Sequence, residues 1–211
     1  MSQGCLSDRG VNMRHVLLLI GVVAGCDSLP TTPESVAWTW EHPFLGAPCD
    51  LSAPGPSLEP YRGDSIPVRQ GHETVDDRWA AIARQAPGGW GGVFYVDGRL
   101  TIYLVRPEEA EDAIPVLNSL GARVGLQPDV LRGRWDFAQM YDWNRYIAHR
   151  GLWMVDGVYG SSIDEKMNRL HYRVTPESLP SLAQFLTDLR VPCGLVIADV
   201  APNNISLDGG T

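Results

Sequence analysis

The sequence predicts an α+β fold, two repeated β-β-α-β units joined by a helix, behind a proline-rich tether. Three observations predict it. From residue 73 to 200, β-rich runs alternate with stretches of helical period. Shifting the chain by 69 places pairs Pro107 with Pro176, Glu108 with Glu177, Leu117 with Leu186, Leu120 with Leu189, Gly125 with Gly194 and Leu126 with Leu195. These matches fall at equivalent helix starts and strand starts, as an internal repeat would place them. Ahead of this region, Pro30, Pro33, Pro43, Pro48, Pro54, Pro56, Pro60 and Pro67 make up half of the chain's 16 prolines. A segment so composed favours extended conformations and acts as a spacer.

Each element follows in chain order. Inside the tether, Val36, Trp38 and Trp40 alternate with Ala37 and Thr39, which predicts a short strand or aromatic latch packed on the domain by one apolar face. Thr74 is an N-cap for a helix whose Trp79, Ile82, Ala83 and Ala86 share a face, and Pro87-Gly88-Gly89 ends it. Val93 to Val96 and Leu100 to Val105 are strands joined by Asp97-Gly98, a strong hairpin signal. A helix starts at Pro107 and runs to about Leu120, with Pro115 expected to kink or split it, and a strand near Arg123 to Leu126 closes the first unit. Asp136 and Gln139 form a capping-box pattern ahead of the joining helix over 137–149, which Gly151 ends. The second unit reads as strands over Leu152 to Tyr159 and Asn168 to Thr175, a helix to Leu189, and a strand from Gly194 to Asp199.

With 44% hydrophobic and 20% charged residues, the 211-residue chain has material for one domain with a real core plus extra segments. The expected divisions are a signal segment over 1–25, with translation starting at Met1 or Met13, and a tether over 26–71. The domain covers 72–201, with the repeats at 91–127 and 152–200, and 202–211 form a tail. The formal charge is -8, and removing residues 1–25, which hold two arginines and one aspartate, takes it to -9. That sign repels phosphate backbones and anionic headgroups, so no nucleic-acid partner is expected.

Met13-Arg14-His15 is a short basic start, Val16 to Val23 an apolar run broken by Gly21, and Ala24-Gly25 a small-residue site before Cys26. The run is about half of the roughly 20 residues that span a bilayer, so the layout is that of a secretory signal and not of a transmembrane helix. Val23-Ala24-Gly25-Cys26 resembles the lipobox of bacterial lipoproteins. The resemblance implies that Cys26 is acylated and becomes the new amino terminus, holding the domain outside the cytoplasm on an envelope membrane. Cys49 and Cys193 are then the remaining thiols in an oxidising compartment and are expected to pair.

Residues 73–200 also resemble the pro-regions of secreted chymotrypsin-like proteases of the streptogrisin and alpha-lytic type. The resemblance rests on Gly91-Gly92-Val93-Phe94-Tyr95 with Asp97-Gly98-Arg99-Leu100, on Trp135-Asp136-Phe137-Ala138, and on Asp164-Glu165 followed by Asn168-Arg169-Leu170. Such pro-regions assist folding of a downstream protease and inhibit it. No protease segment follows in this sequence, so what the resemblance implies is docking.

The candidate chemical groups each have a structural explanation. His72 and Asp76, four residues apart, would share a helix face and with Glu73 resemble part of a zinc-protease helix, but the second His is absent and a solvated acidic helix start explains them. No metal site is expected. Ser161 and Ser162 follow Gly160 without a nucleophile elbow, and His171 sits in a strand with no evident acid to orient it. Asp164, Glu165 and Asn168 read as a polar turn. Trp135, Trp143 and Trp153 with Tyr141, Tyr146 and Tyr159 serve either as packing or, through Trp135, Trp143, Trp153 and Tyr159, as a binding face. No phosphate loop, dinucleotide fingerprint or CxxC pair is present, and no cofactor is expected. The resulting expectation is a membrane-anchored module that binds an exported protein or peptide without catalysis. The alternative is a cell-envelope hydrolase whose site the sequence does not reveal.

Overall fold

The computed structural model describes residues 36–40, 49, 71 and 73–201. Residues 1–35 with Cys26, most of the tether, His72 and the tail 202–211 lie outside the described residues. The fold is α+β. Strand β1 (Val36–Thr39) precedes α1 (Val75–Ala83), β2 (Trp90–Val96), β3 (Arg99–Leu104), α2 (Ala110–Ser119) and β4 (Asp129–Arg132). Then come α3 (Phe137–His149), β5 (Val158–Asp164), β6 (Arg169–Val174), α4 (Leu179–Asp188) and β7 (Val196–Val200). One sheet has the order β2-β3-β4 and the other β1-β7-β6-β5.

Local chemistry accounts for most of these boundaries. Asp97 (φ 48) and Gly98 (φ 79) both take left-handed backbone, the two-residue turn whose twist suits a hairpin. Thr74 caps α1 in a reciprocal box with Asp77, and Asp136 caps α3 with Gln139. Pro115 lies inside α2 without splitting it.

Both sheets contain the same succession. An antiparallel hairpin, β2-β3 or β5-β6, leads to a proline-opened 3-10 turn over 107–109 or 176–178. A helix then returns the chain, and the closing strand, β4 or β7, lies parallel to the second strand of its hairpin. A register shift marks the same place in each hairpin, between Trp90 and Gly92 and between Val158 and Gly160. Helix ends agree too: the Ala122 and Val191 amides donate to the carbonyls of Leu117 and Leu186, five residues back, which tucks the chain under its helix.

Two expected strands lie elsewhere. The strand predicted at 123–126 is at Asp129–Arg132 instead. Gly121 (φ 90), Arg123 (φ 55) and Gly125 (φ 74) are all left-handed, and a chain reversing that often cannot present a ladder edge. The run 152–159, predicted as one strand, is a 3-10 turn at Leu152–Met154 followed by β5. Left-handed Gly151 (φ 104) and Gly157 (φ 79) bracket the turn and postpone the strand.

The apolar residues form one core running from Trp40 to Ala198. Trp79, Trp90 and Phe137 meet in it with ring centroids 5.4 to 6.1 Å apart, so α1, β2 and α3 are joined through aromatic contact. The tether's aromatic strand belongs to the fold. β1 pairs antiparallel with β7, and buried Trp40 donates from its indole Nε1 to the Val191 carbonyl at 3.1 Å. Cys49 and Cys193 are joined by a disulfide with Cα atoms 5.8 Å apart. Among the described residues, no helix is long and apolar enough to cross a membrane.

Candidate functional site

Alternation along β6 sorts its residues between two surfaces. Leu170, Tyr172 and Val174 are buried in the core, so His171 and Arg173 face the other way. Register then fixes their neighbours: Ser162 lies opposite His171 and Gly160 opposite Arg173 on β5, while Asp199 of β7 lies beside Arg173. This face therefore gathers Gly160, Ser162, His171, Arg173 and Asp199 from three adjacent strands. A cavity of about 200 Å³ lined by Gly160, Ser161, Ser162, His171 and Arg173 opens there. That volume is below the range of sites for drug-sized ligands and suits a single side chain.

The acid to orient His171, which the sequence does not reveal, is Asp199. His171 Nε2 lies 3.0 Å from Asp199 Oδ2, and the histidine side chain is 17% exposed. A histidine held by a carboxylate is the arrangement that a base and its orienter take in nucleophilic sites. The third member is in register, yet among the described residues no hydrogen bond joins Ser162 to His171. Arg173 is exposed and makes no ion pair among the described residues. A Cβ built on Gly160 would stand 3.3 to 3.5 Å from Arg173 Cδ, Cβ and Cγ, so the arginine stem leans across the glycine.

The residues expected to form an aromatic binding face do not share a surface. Trp135 and Trp143 are buried in the core, because the α3 face they flank is the one turned inward. Trp153 is 55% exposed on the turn after α3, and Tyr159 is half-buried in β5.

Acidic side chains collect around the start of α1. Thr74 donates from N and Oγ1 to Asp77 Oδ2 at 2.7 and 2.6 Å, and the Tyr141 hydroxyl donates to Asp77 Oδ1. Burial raises the Asp76 pKa, with the Asp77 charge adding to it. Burial likewise raises Glu165, helped by the charges of Asp76 and Asp164. Each of these carboxyls holds its proton more tightly because both low polarity and a neighbouring negative charge disfavour the ionised form. Among the described residues, no group of three or more His, Cys, Asp or Glu side chains could hold a metal ion. Asp164 Oδ1 accepts from the Met167 amide at 2.8 Å, as a turn residue does.

Asn168, which reads in the sequence as a member of that turn, does more. Its Oδ1 accepts from the amides of Arg134 and Trp135 at 2.8 and 2.9 Å, and its Nδ2 donates to the carbonyls of Trp135 and Gly91 at 2.8 and 3.3 Å. The side chain thus ties the β5-β6 hairpin to β2 and to the strand-to-helix turn before α3. Gly91 and Gly133 make room for it, as a Cβ on either would stand 2.5 or 3.2 Å from the Asn168 amide. Asn168 has φ 53, a left-handed value that asparagine tolerates better than most residues, and this is its one local signal. No known protein family matches the chain, and neither does any curated protein.

Proposed function

We propose that this chain is an exported protein, anchored to an envelope membrane through lipid on Cys26, whose α+β domain binds a protein or peptide partner and performs no chemistry of its own. One observation carries the binding reading: β5 is an edge strand of its sheet among the described residues, and a side-chain-sized cavity lies beside it. An outermost strand offers unpaired N–H and C=O groups to an added strand, and a flanking pocket supplies specificity. The lipobox resemblance supports the anchor, and the pro-region resemblance supports docking.

A second reading, an envelope hydrolase, is favoured by the pairing of Asp199 with His171 on the face that also holds Ser162. The missing serine–histidine hydrogen bond weighs against it, because a base must reach the proton it removes. The full chain in detergent, screened against ester and amide substrates and presented to envelope extract at low and high salt, separates the two. Binding predicts no turnover, together with a partner whose retention weakens with salt and is lost in Ser162→Trp, which crowds the outer face of β5. Turnover abolished by both Ser162→Ala and His171→Ala would overturn it in favour of the hydrolase.

A further inference from the structure

We infer that β5 accepts an extended peptide segment carrying an acidic side chain, whose carboxylate is received by Arg173 in the cavity beside His171. The inference rests on the binding reading above and specifies the chemistry of its ligand.

Four observations lead there. β5 pairs only with β6 among the described residues, which leaves its other edge without a ladder partner. Its outward positions are Gly160, Ser162 and, at its far end, Asp164, and the two small residues leave room for the cavity beside them. Arg173 fills part of that space by leaning its stem across Gly160, which carries a guanidinium from the second strand toward the edge. Arg173 also has no ion-pair partner among the described residues, whereas Arg84, Arg99, Arg106 and Arg132 all pair with carboxylates. Arg78, Arg123 and Arg190 likewise make no ion pair among the described residues, and Arg173 differs from them in lining a cavity.

The nearest acids do not neutralise it. Asp199, the register neighbour of Arg173 on β7, is engaged with His171 and makes no ion pair with Arg173, and it stands on the side of Arg173 away from the β5 edge. Asp164 is at the far end of β5 and accepts from the Met167 amide. A carboxylate entering over Gly160 therefore meets a guanidinium first. The cavity of about 200 Å³ accommodates a Glu or Asp side chain and little more. Strand addition supplies affinity without regard to sequence, and the guanidinium supplies the selection.

The test uses the full chain in detergent and a set of acetylated, amidated peptides of about eight residues, the length of a strand with its flanks. They share an alternating Thr-Val frame and differ at one central position, Glu, Gln or Lys; blocked ends leave the side chain as the only carboxylate. Titration calorimetry should show the Glu peptide binding roughly tenfold or more tighter than the Gln peptide, as expected for a charge-assisted bond. Arg173→Gln should remove that preference. Alternate N-methylation of the Glu peptide should abolish binding by blocking the ladder. Equal affinity for Glu and Gln, a preference for Lys, or undiminished binding after N-methylation would overturn this inference while the binding reading stands. Failure of every peptide to bind, together with loss of the salt-sensitive partner, would overturn both.

Discussion

Replacing Asn168 with alanine should be among the most damaging single changes in the domain. The side chain is 4% exposed, and its removal strips partners from two amides and two carbonyls at 2.8 to 3.3 Å. At about 1 kcal/mol net for each hydrogen bond, the loss is about 4 kcal/mol. Alanine at φ 53 adds about 1 kcal/mol of left-handed backbone strain. The total of about 5 kcal/mol is comparable with the whole stability of many domains. Asn168→Gly separates the two contributions, since glycine loses the same bonds without the strain and should recover about 1 kcal/mol. Asn168→Asp keeps the acceptor for the amides but turns an oxygen toward the carbonyls of Gly91 and Trp135. Its deficit should narrow as acid protonates the carboxyl and restores a donor. Urea unfolding with the disulfide intact, followed by tryptophan fluorescence, reads all three. A loss below about 1 kcal/mol in Asn168→Ala would refute the idea that this residue clamps the second hairpin to the first sheet.

Three further outcomes are expected. The disulfide closes a loop of sequence separation 144, so replacing both Cys49 and Cys193 with serine should cost up to about 5 kcal/mol through the freed unfolded chain; an unchanged urea midpoint would contradict this. Burial raises the pKa values of Asp76, Asp136, Asp142 and Glu165 above their ordinary values, in Asp142 despite its contact with Arg84. Such groups favour the fold fully below their unfolded pKa and lose that contribution as pH rises through the folded pKa, so Tm should rise as pH is lowered from 7 toward 5. Glu109 is held low by Arg106 and acts in the opposite sense, but its exposed pair is screened, and a falling Tm over that range would overturn the assignment. If Cys26 carries lipid as proposed, labelled palmitate should enter the chain expressed in a bacterial host and not Cys26→Ala; equal labelling of both would defeat the anchor.

What the sequence reveals and what it conceals divide along the range of the interactions. Asp97-Gly98, the Thr74 cap and the Asp136–Gln139 box act within a few residues, so their elements stand where local reasoning puts them. The alternation of Trp38 and Trp40 likewise points to a latch, and Trp40 is buried against Val191. Strand β4 escapes such reasoning because three left-handed residues over 121–125 displace it, and two of them, Gly121 and Gly125, look like ordinary turn glycines. The partner of His171 is hidden for a different reason. Asp199 becomes its neighbour only through the parallel pairing of β6 with β7, and nothing in the spacing of 28 residues shows that register. Asn168 looks like a mere turn residue on the same ground, its partners lying 33 to 77 residues away.

The disulfide also decides how the molecule would carry a pull. Residues between Cys49 and Cys193 form a closed covalent ring, so tension applied before residue 36 and after residue 200 passes around them through the sulfur bridge. Of the regular elements among the described residues, only β1 and β7 lie outside the ring, and they pair with each other, Val36 opposite Val200. The loaded ends are thus neighbours, and force opens the β1-β7 ladder one rung at a time from its outer end, which resists less than shearing all its rungs together. Once β1 has peeled away, the tension runs through the covalent link into β7, which stays paired with β6, and the backbone between the two cysteines lies outside its path.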